Sequence, residues 1–197
     1  MNPQQEYWSN PRDKPNKPES YAKRELNNRS HFVFKLIEKY AHRKNHILEI
    51  GCNVGRNLNY LHEKGFLSLH GIELNAHAIE LMKRYYPKMY DRAKISISSI
   101  EGSVPFMKDN YFNITFSLAV LMHLPFESNF VLKHLVRITK NYLITIEDER
   151  QEILCKTHFP RDYKREFEYL GMREIDSGKC PLQDCLKNYT WRVFKKC

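Results

Sequence analysis

Two hydrophobic periods alternate along this chain. Residues 47–50, Ile-Leu-Glu-Ile, are apolar except for Glu49 and predict a short buried strand. Gly51 and Gly55 bracket a tight turn after it. Leu58 and Leu61, three apart, then mark the inward face of a helix. Upstream, Phe32, Leu36, Ile37, Tyr40 and Ala41 recur at helical spacing, predicting a helix over 31–42 with Ser30 as its N-cap. Downstream, strands are expected at 67–73, 94–98, 112–119 and 142–146. Helices are expected at 76–86, stopped by Pro87, and at 130–138. A short helix over 162–170 ends at Gly171. Two further strands, 173–176 and 189–194, have no good helix between them and can pair antiparallel at a sheet edge.

Strands alternating with helices from 47 to 146 predict an α/β fold. Its doubly wound, seven-stranded sheet would be mostly parallel with an antiparallel last strand, and helices would cover both faces. The first 20 residues hold Pro3, Pro11, Pro15 and Pro18 among Asn, Lys and Ser and predict a non-helical arm. Tyr7 and Trp8 give that arm aromatic groups with which to dock. The expected division is an arm or lid over 1–29 and one domain over 30–197.

Composition narrows the class. With 42% hydrophobic and 28% charged residues in 197, the chain has enough apolar material for one globular core. No apolar run approaches the roughly 18 residues that span a bilayer. The first residues lack the apolar core of a signal peptide, so the expectation is a cytoplasmic protein without a membrane partner. Cys52, Cys155, Cys180, Cys185 and Cys197 are odd in number and without zinc-ligand spacing, which predicts reduced thiols and no metal. The net charge of +9 permits a nucleic-acid partner. Its spread, densest over 12–29 and 156–179, reads more simply as solvated basic faces. Oligomeric state is left open.

The glycine turn is where the chemistry gathers. Strand, glycine turn and helix bring backbone N–H groups close to a ligand. Glu73 follows Gly51 by 22 residues at the end of the second strand, where a carboxylate accepts hydrogen bonds from both hydroxyls of a ribose. The turn, Gly51-Cys52-Asn53-Val54-Gly55, does not fit the G-x-G-x-x-G of dinucleotide enzymes.

It resembles motif I of the class I S-adenosylmethionine-dependent methyltransferases, an acid followed by G-x-G-x-G in a Rossmann-like fold. Glu49, Gly51 and Gly55 match, and Asn53 stands in place of the middle glycine. The resemblance extends from residue 30 to 195. It implies S-adenosylmethionine as cofactor and S-adenosylhomocysteine as product. Glu49 would orient the loop or reach the cofactor amino group through water. Gly51, with Asn53 and Gly55, would allow close backbone approach to the methionine part. Glu73, with Leu74 beside it, would hold the ribose, and Ser99 and Ile100 would contact adenine. Leu118, near the end of the fourth strand, would also contact the cofactor. Tyr21 and Arg24 resemble a Y-x-x-R in a bacterial group of these enzymes, where the arginine would bind the cofactor carboxylate.

For the acceptor, His123 follows the fourth strand and is the candidate base, or else shapes the loop. Tyr7 and Trp8 from the arm, Glu147 at the end of the fifth strand, and His158, Arg161 and Tyr163 from the next connection are candidate lining residues. The expected activity is methyl transfer to N or O of a small molecule. An RNA or protein methyltransferase, or a non-catalytic methyltransferase-like binding domain, are the alternatives. The fourth strand lacks the Asn/Asp-Pro-Pro-Tyr type of ending seen in many base N-methyltransferases.

Overall fold

The computed structural model describes residues 1–22, 27–152, 157–183 and 186–197. It divides into two compact units, Met1–Ser103 and Val104–Cys197.

The first unit opens on an arm that is helical in pieces rather than extended. Helix α1 (Pro3–Ser9) starts with a capping box: Asn2 Oδ1 accepts from Gln5 N–H, and the Gln5 side chain accepts from Asn2 N–H. A 3-10 turn (Lys14–Asn16) and helix α2 (Pro18–Tyr21) follow. Pro3, Pro15 and Pro18 sit within the first two positions of these pieces, where a missing N–H has no intrahelical partner to lose. That is why a proline count misread the segment.

Helix α3 (Asn27–Glu38) comes next, earlier than the predicted 31–42. Ser30 therefore lies inside the helix, not at its cap. It is buried, and its hydroxyl donates to Asn57 Oδ1 at 2.7 Å. The chain then runs through β1 (Ile47–Ile50), α4 (Arg56–Glu63), β2 (Leu69–Glu73), α5 (Ala76–Tyr85), α6 (Pro87–Tyr90), β3 (Lys94–Ile97) and α7 (Ile100–Ser103). Pro87 both ends α5 and begins α6. Strands β3, β2 and β1 pair in parallel, with Ile50 opposite Ile72 and Glu73 opposite Ile97. Leu58 and Leu61 are fully buried, as are Ile47, Leu48, Ile72, Ile79 and Met82. The i, i+3 phase of α4 has thus set its inward face.

The second unit holds β4 (Phe112–Leu118), α8 (Phe130–Ile138), β5 (Thr139–Glu147), α9 (Tyr163–Tyr169), β6 (Met172–Lys179) and β7 (Thr190–Lys196). Strands β4 and β5 are parallel. Strand β7 runs antiparallel to both β5 and β6, with a register shift between Glu174 and Asp176. The seven-stranded order is β3-β2-β1-β4-β5-β7-β6. The parallel α/β sheet with a reversed last strand is therefore observed.

Two long cations tie α8 to its neighbours. Lys196 Nζ donates to the carbonyls of Val136 and Thr139 at 2.6 and 2.9 Å. Arg137 donates to the carbonyls of Val104 and Met107 at 2.8 and 2.7 Å. Lys196 thereby satisfies carbonyls that a helix end leaves without intrahelical partners, while Arg137 anchors the segment that precedes β4. No helix among the described residues is long and apolar enough to cross a membrane.

Candidate active site

The turn between β1 and α4 rests on three left-handed residues, Gly51 (φ 66°), Asn53 (φ 47°) and Gly55 (φ 74°). Asn53 adopts the conformation expected of the glycine it replaces. Its Oδ1 accepts the N–H of Val54 at 2.8 Å, a local bond that helps Asn tolerate this region. Gly55 has a second requirement. A Cβ there would sit 2.8 Å from Met82 Cγ, inside the packing of α4 on α5.

The turn is tied to the end of β2. Asn53 N–H donates to Glu73 Oε2 at 2.8 Å, and Asn75 N–H donates to Oε1 at 2.7 Å. Burial raises the pKa of Glu73, while the N–H groups of Asn75, Asn53 and Leu74 act against that shift. Leu74 is half-buried beside it. At the end of β3, Ser99 Oγ accepts the N–H of Gly102 at 3.0 Å and so caps α7, while Ile100 is buried.

The arm docks on this same region. Tyr21 and Ala22 pack against Val54 of the turn and Ala78 and Leu81 of α5. Glu19 Oε1 and His77 Nε2 are 2.8 Å apart, and Asn75 Nδ2 donates to the Trp8 carbonyl at 3.4 Å. Tyr7 is held within the arm: its hydroxyl donates to Asp13 at 2.6 Å and accepts from Asn16 at 2.8 Å. Arg24 lies outside the described residues.

A buried polar chain behind the turn was missed by the sequence reading. Asn57 Nδ2 donates to Glu49 Oε1 at 2.6 Å, Ser30 Oγ donates to Asn57 Oδ1, and Arg56 Nε donates to Ser30 Oγ at 3.1 Å. Burial raises Glu49 to about 8, against the Asn57 hydrogen bond and the Arg56 charge. The available signal was weak: Ser30, Arg56 and Asn57 are polar residues at helical phases that face inward.

In the second unit, Leu118 ends β4 and Ala119 follows at φ 58°. The next three N–H groups, of Val120, Leu121 and Met122, converge on the fully buried Glu147 carboxylate at 3.0–3.3 Å. Burial raises Glu147 to about 7, opposed by Ser117 and these backbone donors. His123 Nδ1 lies 2.5 Å from the Thr157 carbonyl. A carbonyl only accepts, so Nδ1 carries the proton and Nε2 the lone pair. Burial lowers His123 to about 4 against the Thr157 bond.

The segment after β5 locks onto the same loop. Phe159 N–H donates to the Met122 carbonyl at 2.8 Å. Arg161 donates to Asn129 Oδ1 and to the carbonyls of Leu121, Pro125 and Phe159, with its guanidinium 5.0 Å from the Phe126 ring. The buried His158 ring faces the carbonyls of Glu152 and Asp148. Tyr163 stacks on Phe167 in the core. Glu147, Arg161 and Tyr163 thus sit within the framework of these loops. Among the described residues, no group of three or more His, Cys, Asp or Glu could hold a metal ion.

Comparison with known proteins decides among the nucleotide-binding α/β folds. A family model described as a methyltransferase domain matches residues 48–142, from β1 into β5. The match agrees with the resemblance of the glycine turn to motif I of the class I S-adenosylmethionine-dependent methyltransferases. Solved structures agree with this at the level of fold. The chain is similar to the geranyl diphosphate C-methyltransferase of Streptomyces coelicolor, solved with geranyl diphosphate and S-adenosyl-L-homocysteine (TM-score 0.73, 12% identity, 100% of this chain and 99% of that one). It is also similar to the magnesium protoporphyrin IX methyltransferase of Synechocystis, solved with S-adenosylmethionine (TM-score 0.72, 12% identity, 98% and 95% covered). A TehB-like methyltransferase of Corynebacterium glutamicum aligns with TM-score 0.67 and 18% identity over 91% of this chain and 98% of that one. The search of curated proteins gives no match.

The residues at the turn fit S-adenosylmethionine. A carboxylate fixed by two backbone bonds ends β2, three left-handed residues shape the turn, and two deeply buried polar atoms there, Glu49 Oε2 and Arg56 Nη1, have no hydrogen-bond partner.

Proposed function

We propose that this enzyme transfers a methyl group from S-adenosylmethionine to an N or O atom of a small-molecule acceptor. The observation that carries the reading is His123, a neutral imidazole on the loop after β4 with Nδ1–H held by Thr157. Solved structures that align over nearly their whole length are named for small acceptors, geranyl diphosphate and magnesium protoporphyrin IX. The +9 charge favours nucleic acid less than its size suggests. Arg137, Arg161, Arg192 and Lys196 serve as internal donors to carbonyls and carboxylates rather than as a free basic surface.

When bound, S-adenosylmethionine supplies a sulfonium-activated, electrophilic methyl group. In this reading Glu73 holds the ribose hydroxyls, with its own orientation fixed by Asn53 and Asn75. Leu74, Ser99, Ile100 and Leu118 line the nucleoside, and Gly51, Asn53 and Gly55 keep the turn open to it. The arm over 1–29, through Tyr7, Trp8, Tyr21 and Arg24, acts as the lid on the catalytic domain over 30–197 and excludes water. His123 Nε2 takes the acceptor proton. Glu147 holds the His123 loop through its N–H groups and Arg161 through the Leu121 carbonyl, while His158 holds the segment after β5. Alignment of acceptor and methyl does most of the remaining work.

The test is release of S-adenosylhomocysteine by the full chain across amino sugars, small amines, phenols and tRNA. Turnover on one small-molecule class and none on tRNA is expected. Turnover on tRNA alone would replace the reading with RNA methylation.

A further inference from the structure

The ends of β5, β6 and β7 border an open cavity of about 450 Å³. Glu149 and Arg150, just after β5, form one wall. Ser177–Lys179 of β6 and Thr190 and Arg192 of β7 form the rest. Among the described residues, no apolar side chain lines it. Ligand pockets of this size are lined mostly by apolar groups, so a wholly polar one points to a charged ligand.

The hydrogen bonds already made decide the sign of that charge. Glu149 gives both carboxylate oxygens to Arg192, whose Nε and Nη2 donate at 2.8 and 2.7 Å, and Arg192 Nη1 donates to Glu174. That ion group is framework. Arg150 uses Nε and Nη2 on Asp148, at 3.0 and 2.6 Å, which leaves Nη1. Glu152 also acts on Arg150 through its charge but does not line the cavity. Lys179 Nζ donates to the Thr190 hydroxyl at 2.9 Å, a neutral partner that takes one of its three N–H groups. Ser177 Oγ reaches Glu174 only at 3.5 Å, the outer limit of a hydrogen bond. What the cavity still offers is donors: the Lys179 ammonium, Arg150 Nη1 and the Ser177 hydroxyl.

These donors lie beside the loop assigned to the acceptor. Lys179 is opposite Thr190, and Thr190 is opposite Glu147, across β6, β7 and β5. Glu147 in turn holds the N–H groups of Val120, Leu121 and Met122, directly before His123. On the other side, the Asp148 carbonyl faces His158, the neighbour of the Thr157 that holds the His123 ring. We propose that the cavity takes a phosphate group carried by the methyl acceptor, with Lys179, Arg150 and Ser177 as its donors. A phosphomonoester brings close to two negative charges and three strong acceptor oxygens, one for each donor group. A carboxylate brings one charge and two oxygens. The proposal rests on the reading of His123 as the acceptor site. Lys179 then determines which acceptor binds and takes no part in the proton transfer.

Two measurements on the full-length protein test this. In the first, inorganic phosphate is titrated at constant ionic strength and followed by backbone amide shifts in NMR spectra. Saturable shifts at Ser177, Gly178 and Lys179 are expected. Affinity should weaken about fivefold or more in Lys179→Met and stay unchanged in Lys88→Met, which removes an exposed charge of α6. Shifts that do not saturate, or affinity that falls equally in both variants, overturn the site. In the second, S-adenosylhomocysteine release is compared for amino sugars, small amines and phenols, each with and without a phosphate group. The phosphorylated member of one pair should have a kcat/KM about tenfold higher or more, and Lys179→Met should erase that preference by raising KM with kcat little changed. Turnover without preference in any pair, beside saturable phosphate binding, overturns the assignment to the acceptor and leaves a site for free phosphate. Turnover with none of the compounds removes the His123 reading instead, and the phosphate titration then decides the cavity alone.

Discussion

The Glu73 carboxylate accepts the backbone N–H of Asn53 across 2.8 Å, so the acid at the end of β2 also fixes the glycine turn that follows β1. One side chain thereby couples the two places where a nucleoside and a methionine part would be held. Glu73→Ala should leave the N–H groups of Asn53 and Asn75 without their acceptor in a nearly buried site. The expected destabilisation is about 2–4 kcal/mol, read from urea denaturation. Cofactor affinity should fall with it, by more than tenfold in calorimetry. A variant that binds S-adenosylhomocysteine with wild-type affinity would contradict the assignment of Glu73.

Asn53 gives a finer test of the same turn. Its φ of 47° and its bond to Val54 N–H account for Asn where motif I usually has glycine. Asn53→Gly removes the side-chain bond but relieves the backbone, so its stability should stay within about 1 kcal/mol of wild type. Asn53→Val combines a lost bond with a β-branched residue in the left-handed region and should cost about 2–4 kcal/mol. Equal stability of the two variants would show that backbone strain is not what selects Asn here.

How far these features could be read in advance follows from their range along the chain. The β1 turn is local: four apolar-patterned residues, two glycines and two leucines three apart are visible within fifteen positions. The acid Glu73 follows from counting along one strand–helix–strand unit. Ser30, by contrast, looked like a helix cap because Ser favours that position. Its real partner, Asn57, is 27 residues away. Arg56 and Asn57 read as ordinary polar helix residues, since nothing local shows that their face of α4 is covered by α3. The arm was misjudged for the opposite reason. Its prolines were counted rather than placed, and Asn2 with Gln5 three residues later had the spacing of a capping box. The substrate candidates Glu147 and Arg161 sit on the loops to which sequence position pointed. Which way a strand-end carboxylate faces depends on the loop that folds over it, and no period along the chain encodes that.

Glu147 is one such case, and its ionisation has a checkable sign. Burial raises its pKa from 4.5 to about 7. A carboxyl raised in the folded state contributes stability that is fully present below about pH 4.5 and is lost as pH rises through about 7. Glu147→Gln cannot ionise. Its stability deficit relative to wild type, measured by urea denaturation, should therefore shrink between pH 5 and pH 8. A deficit that grows over that range would mean that the N–H groups of Val120, Leu121 and Met122 outweigh burial and hold the carboxylate charged.

His123 carries the prediction closest to the chemistry. Burial lowers its pKa from 6.5 to about 4, and the Thr157 carbonyl fixes the proton on Nδ1. As the acceptor's base, Nε2 would be unprotonated throughout the neutral range. The acid limb of kcat should then fall near pH 4 rather than near 6.5. His123→Ala should lower kcat by about 10²- to 10⁴-fold while S-adenosylhomocysteine affinity stays within a few-fold, because the cofactor contacts assigned here lie elsewhere. His123→Asn separates the two roles of the ring. Its amide can still donate to Thr157 and keep the loop in place, yet it cannot accept a proton at neutral pH. If His123→Asn retained turnover while His123→Ala lost it, the imidazole would be a loop anchor and the acceptor proton would leave by another route.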